Sequence, residues 1–138
     1  MLNNNGQFIK RMKKSREEEI NLTLTNVIMH EDFTFALCAF LDEFKRSERK
    51  QHMIAFPPVF DDANKENLCI LAAIAHKLAN DYNLTIPQWV FEPQYKMPTP
   101  TFAFNTTNAE YQAFLIEGNP PEFADKNIFH GSNAIERV

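Results

Sequence analysis

Glycine is scarce in this chain, with three residues in 138. That scarcity disfavours a turn-rich β architecture and rules out the usual glycine-rich phosphate loops. Cysteine is nearly as rare. Cys38 and Cys69 both lie in apolar runs, which suits small buried hydrophobes of a reducing compartment and not a disulfide framework. No apolar run reaches the ~18 residues that a membrane span needs. The N-terminus, MLNNNGQFIKRMKKS, has no apolar signal core. The expected location is therefore cytoplasmic, with no membrane partner. Acidic residues are missing from positions 1–16, which hold Lys10, Arg11, Lys13, Lys14 and Arg16 and carry +5.

What is present is a large apolar supply. Hydrophobic residues make up 44% of the chain and thirteen are Phe. A single domain of this length buries roughly two thirds of its unfolded surface, so a real core is expected. The other 122 residues hold 9 basic and 18 acidic side chains, a balance of −9. The chain thus divides into a basic N-terminal arm, residues 1–20, and an acidic domain, residues 21–138. Lys10, Arg11, Lys13, Lys14 and Arg16 are the candidate nucleic-acid contacts, through phosphates only. The simpler alternative is a solvated arm, or helix pairs with Glu17, Glu18 and Glu19.

Periodicity predicts an all-α domain of about four to six helices with a Pro- and aromatic-rich packed loop. Phe8, Ile9 and Met12 share one side of a weak helix over 7–19. Residues 20–29 are ambiguous, because Leu22 and Leu24 alternate with Thr23 and Thr25 as in a strand. Phe33, Ala36, Leu37, Phe40, Leu41 and Phe44 then mark one face of a helix, with Glu31 and Asp32 at its start and Lys45 and Arg46 at its end. A basic loop and an extended stretch over 53–60, stiffened by Pro57 and Pro58, follow. The next helix, 64–82, is apolar on nearly all sides and is expected at the centre of the domain. Four prolines and five aromatics over 85–104 predict a packed loop with one helical turn at 87–91. Thr107 and Glu110 read as a capping box for a helix ended by Gly118. A short turn at 120–125 and a final one at 133–137, capped by Ser132, complete the reading.

Chemistry is thin. His30 with Glu31 and Asp32, and His76 with Asp81, are the local groupings that a metal would need. His76 and Asp81 are five apart, a poor match to one helix face. Cys38 and Cys69 sit among apolar residues, where a thiol loses reactivity. The expectation is no catalytic residue, no metal and no cofactor. The feature that stands out is the last stretch, PPEFADKNIFHGSNAIERV, which places Phe123, Ile128 and Phe129 among turn formers and charges. A segment that apolar docks on its own domain or on another protein. Phe123, Asn127, Ile128 and Phe129 are the candidate protein-interaction residues.

The order His52-Met-Ile-Ala-Phe-Pro-Pro, the helix end Ala75-His-Lys-Leu-Ala, then Leu84-Thr-Ile-Pro-Gln-Trp-Val and Pro121-Glu-Phe-Ala-Asp-Lys-Asn-Ile-Phe resembles a family of small uncharacterised bacterial proteins. In many of them a similar segment follows a helix-turn-helix domain. The likeness covers roughly residues 33–138. It implies an antitoxin-like, regulatory protein whose partner is a nucleotidyltransferase-like toxin. The first 30 residues are too short for a helix-turn-helix domain, so DNA binding does not carry over. The resulting expectation is a non-enzymatic protein-binding or regulatory module. Two alternatives remain: an enzyme with a site assembled from scattered residues, and a nucleic-acid-associated regulator using the basic arm.

Overall fold

A computed structural model of the chain describes residues 23–132. The expected helix at 7–19, the arm cations and the final turn at 133–137 lie outside the described residues. Thr23 resolves the ambiguity over 20–29. Its side chain accepts a hydrogen bond from the Asn26 amide at 3.1 Å and caps a helix, α1 (Leu24–Met29). Leu24, Val27 and Ile28 are buried at helical spacing. The strand-like alternation therefore yields to a cap and a three-four pattern. Helix α2 (Phe33–Arg46) starts where expected, with Asp32 accepting from the Phe35 amide, and packs on α1.

The basic loop expected after α2 is instead a short helix, α3 (Lys50–Ala55), which buries Met53 and Ile54. One of its cations has a local role. The Lys50 ammonium donates to the Lys45 and Ser47 carbonyls at the open end of α2 and lies over the Phe44 and Tyr82 rings. Cations at a helix C-terminus are favourable. The backbone then runs extended through Pro57 and Pro58, and the Val59 amide donates to the Thr25 hydroxyl.

Helix α4 (Lys65–Asp81) is the centre of the molecule. Every residue from Leu68 to Ala75 is buried, as are Leu78 and Ala79. The proline-rich stretch wraps it with two short 3-10 turns, Gln88–Phe91 and Pro93–Tyr95. Trp89 and Tyr95 enter the core edge to face, and the indole N–H donates to the Ile54 carbonyl at 3.0 Å. Phe91 and Phe104 of the same stretch stay exposed. Strand β1 (Thr101–Phe102) pairs in parallel with β2 (Ile128–Phe129), in the register Thr101 to Ile128. Between them come α5 (Ala109–Glu117) and α6 (Pro121–Ala124). One hydrophobic cluster runs from Leu24 to Ile128. The domain is mostly helical, and no helix among the described residues is long and apolar enough to cross a membrane.

Candidate interaction surface

The C-terminal segment is anchored from inside. Phe123 and Ile128 are fully buried. Phe129 is half-buried and stacks on Phe102 with ring centroids 5.3 Å apart. Asn127 sits at φ 63. That left-handed conformation is uncommon for non-glycine residues and several-fold enriched in Asn. Its carbonyl accepts from the Thr101 amide and its side chain donates to the Met97 carbonyl, each at 2.8 Å. The four residues picked from the sequence thus fall in one run of helix α6, a turn and strand β2. Two of them face the core, and Asn127 ties the proline-rich loop to the C-terminal segment. The candidate nucleic-acid contacts Lys10, Arg11, Lys13, Lys14 and Arg16 lie outside the described residues.

Beside this anchor lies a partly buried polar group. Cys69, His76 and Asn80 occupy one stripe of α4, and Glu122 and Lys126 come from α6 and the turn after it. Lys126 is 3% exposed. Its ammonium donates to the Val90 carbonyl and lies 5.9 Å from the Phe91 ring centroid. Burial lowers its pKa, and Asp125 opposes that shift. One oxygen of Glu122 accepts from the Asn80 amide at 2.7 Å, whereas its Oε1 and the Nδ1 of His76 have no partner among the described residues. Burial lowers the pKa of His76. Burial also pushes the Cys69 thiol up to about 11, so at neutral pH it stays protonated and is a poor nucleophile. No cluster of three His, Cys, Asp or Glu that could hold a metal occurs among the described residues.

The outer side of the same region is different. The α5 cap is Asn108, not Thr107: the Asn108 side chain accepts from the Tyr111 amide at 2.8 Å, and Thr106 accepts from the Asn108 amide. The helix starts one residue later than the capping box implied. Leu115 is its one buried residue. Phe114 and Ile116 are 61% and 50% exposed. Tyr111 stacks on Phe114 at 13° between ring planes. Phe104 stands next to them, 88% exposed, at φ 58 and ψ 17. Asn105 follows in the same left-handed region.

A cleft of about 300 Å³ opens here, lined by Phe104, Tyr111, Phe114, Leu115, His130 and Ser132 among others. Its floor is fixed by Asn119. That side chain donates to the Ile128 carbonyl and accepts from the His130 and Gly131 amides. Gly131 is at φ +84, and a Cβ there would stand 3.2 Å from Leu115 Cδ2, so the floor needs glycine. Burial lowers the His130 pKa. Glu110 and Glu117 flank Phe114 one turn to either side and lie exposed. Between Met97 and Ser132 the sole Lys or Arg is Lys126, which is buried.

Sequence reasoning found the docked segment but missed this face. In the sequence Tyr111, Phe114 and Leu115 lie on one short helix, and nothing in their spacing separates the buried Leu115 from the two exposed rings. The available signal was the turn chemistry of Asn105 to Asn108, which isolates Phe104 from the core pattern. No protein family model matches the chain, and no curated protein or solved structure is significantly similar to it.

Proposed function

We propose that this chain is a non-enzymatic, regulatory protein-binding module that receives its partner on α5 and the Phe104 turn. The observation that carries the reading is Phe104. A bulky side chain in the left-handed region costs on the order of 1 kcal/mol or more, and exposing the ring forgoes its burial energy. Both costs are offset when a partner covers the ring. Phe114 and Tyr111 extend the apolar area around it, and contiguous exposed apolar patches mark interaction sites. Aromatic side chains are also the residue type that dominates binding energy at such sites. The antitoxin-like resemblance gives the class of partner to test first, a nucleotidyltransferase-like toxin.

The test uses the full chain, tagged in its native cells, beside Phe104→Ala and Phe114→Ala variants. Both side chains are exposed, so melting should be almost unchanged, within the roughly ±0.5 kcal/mol usual for surface substitutions. The captured protein, identified by mass spectrometry and purified, should bind the wild-type chain directly. It should bind each variant about tenfold or more weakly, equivalent to ~1.4 kcal/mol. Equal affinity for all three chains would sink the assignment of this face.

A further inference from the structure

Resting on the reading of α5 and the Phe104 turn as a docking face, we propose that the cleft on this face is an arginine pocket, which the partner fills with a guanidinium laid against the rings of Phe104, Tyr111 and Phe114. The choice of occupant follows from what the molecule does with its other exposed rings. Aromatic faces are electron-rich and attract cations. Phe35 and Phe56 each meet an imidazole, that of His30 and that of His52. Tyr82 lies 5.5 Å from the Lys50 ammonium, and Phe91 lies 5.9 Å from that of Lys126. The other exposed aromatics among the described residues are Phe104, Tyr111 and Phe114. No cation among the described residues lies over them, and all three line one cleft. The acidic and apolar surface from Phe56 to Asp62 is not equivalent. Phe56 is paired with His52, Phe60 lies 5.9 Å from the Lys65 ammonium, and the exposed Val59 has no ring face to offer.

The lining selects among cations. Tyr111 and Ser132 bring hydroxyls to it, and none of its residues is a carboxylate. A lysine ammonium is a strongly hydrated point charge whose lost hydration must be recovered. The chain's own ring-facing lysines recover it by donating to backbone carbonyls: Lys50 to Ser47, Lys65 to Gln94 and Lys126 to Val90. A guanidinium is planar, more weakly hydrated and stacks on aromatic faces, so it tolerates a cleft without an anion. Glu110 and Glu117, exposed on the same helix, favour the approach of a positive group. His130 brings no opposing charge at neutral pH, because burial lowers its pKa. A volume of about 300 Å³ is at the small end for ligand clefts and suits one side chain, not a whole helix.

The probe is the peptide acetyl-Gly-Arg-Gly-amide, titrated into the isotope-labelled full chain and followed by NMR. Saturable shifts in the millimolar range should centre on Phe104, Tyr111, Phe114 and His130. Peptides with citrulline, lysine or leucine in place of arginine should bind about fivefold or more weakly, and Phe114→Leu should weaken the arginine peptide about two- to fivefold. Phe114 is exposed, so this variant keeps the fold and an apolar side chain while removing the ring. Equal or tighter binding by the citrulline or leucine peptide overturns the proposal in favour of a merely apolar cleft. Equal or tighter binding by the lysine peptide or by tetramethylammonium overturns the choice of guanidinium. Full affinity in Phe114→Leu, no saturable response, or shifts centred on Phe56–Asp62 overturn it as well. If the arginine peptide fails while Phe104→Ala still weakens partner binding, the arginine assignment alone fails and the docking face stands. If the peptide binds while the partner ignores Phe104→Ala, the docking reading fails, and with it the partner as the source of the guanidinium.

Discussion

His76 and His130 show how burial at single residues sets the response of the fold to pH. Each imidazole is screened from water, and that desolvation lowers its pKa from the usual 6.5. Around His76, Glu122 and Asp125 oppose the shift and Lys126 adds to it. Around His130 the opposing charge is Glu66. The unfolded chain takes up protons at these histidines near the ordinary value, whereas the folded chain resists until lower pH. Their contribution to stability is therefore complete above about pH 6.5 and is lost as pH falls from there through the folded values. Urea midpoints measured at about pH 7.5 and 5.5 should fall on acidification in the wild type. They should fall less in His76→Gln and less again in His76→Gln/His130→Gln. An acid dependence untouched by both changes would assign the loss to other groups. Lys126 adds a complementary effect at high pH. Its lowered pKa means that part of its burial cost is relieved as pH rises toward 10.5.

At the scale of elements, α5 separates two readings of one stretch of sequence. The capping-box pattern gives Thr107 as the cap, but the side chain that accepts from the first helical turn is Asn108. Asn108→Ala should then destabilise by ~1 kcal/mol, the usual worth of an N-cap. Thr107→Ala should change stability by no more than a few tenths, since Thr107 is exposed and makes no cap contact. Chemical denaturation of both variants decides it, and a larger loss from Thr107→Ala would restore the capping box. The same contrast explains what was legible. α2 and α4 each carry long apolar periods, and such repeats survive any local competition, so both appear where the spacing places them. α3 buries just Met53 and Ile54, too few to outweigh the polar reading of Lys50, Gln51 and His52. The parallel pair of β1 and β2 has two residues on each side, too short for any alternation to register. The backbone conformation of Phe104 was illegible for another reason, although the turn residues after it set it apart from the core pattern. Its positive φ follows from how the 3-10 turn at Ala103–Asn105 joins β1 to α5, and phenylalanine carries no preference for that conformation.

At the scale of the whole molecule, the buried cluster joins residues as distant as Leu24 and Ile128 through α4, which touches α1, both proline-rich turns and α6. The C-terminal segment belongs to that unit, because Phe123 and Ile128 are in the cluster and Asn127 closes it onto Met97 and Thr101. Its apolar content was therefore a sound guide to docking. The exposed aromatics next to it belong to a different energetic layer. Helix α5 is attached to the domain by Leu115 and by the Asn119 clamp behind it, Gln112 is half-buried and donates to the Thr106 carbonyl, and its other side chains are exposed. Elements with few buried contacts open without global unfolding, and binding surfaces are commonly drawn from them. Native-state hydrogen exchange should show this ordering. The amides of Leu71–Ala75 should exchange through global unfolding, with rates that track denaturant as steeply as equilibrium unfolding does. Those of Ala113–Glu117 should exchange about tenfold faster or more, an opening cheaper by at least ~1.4 kcal/mol, and with little denaturant dependence. If α5 and α4 exchanged with one common rate and slope, α5 would be part of the cooperative core and not a separately opening element.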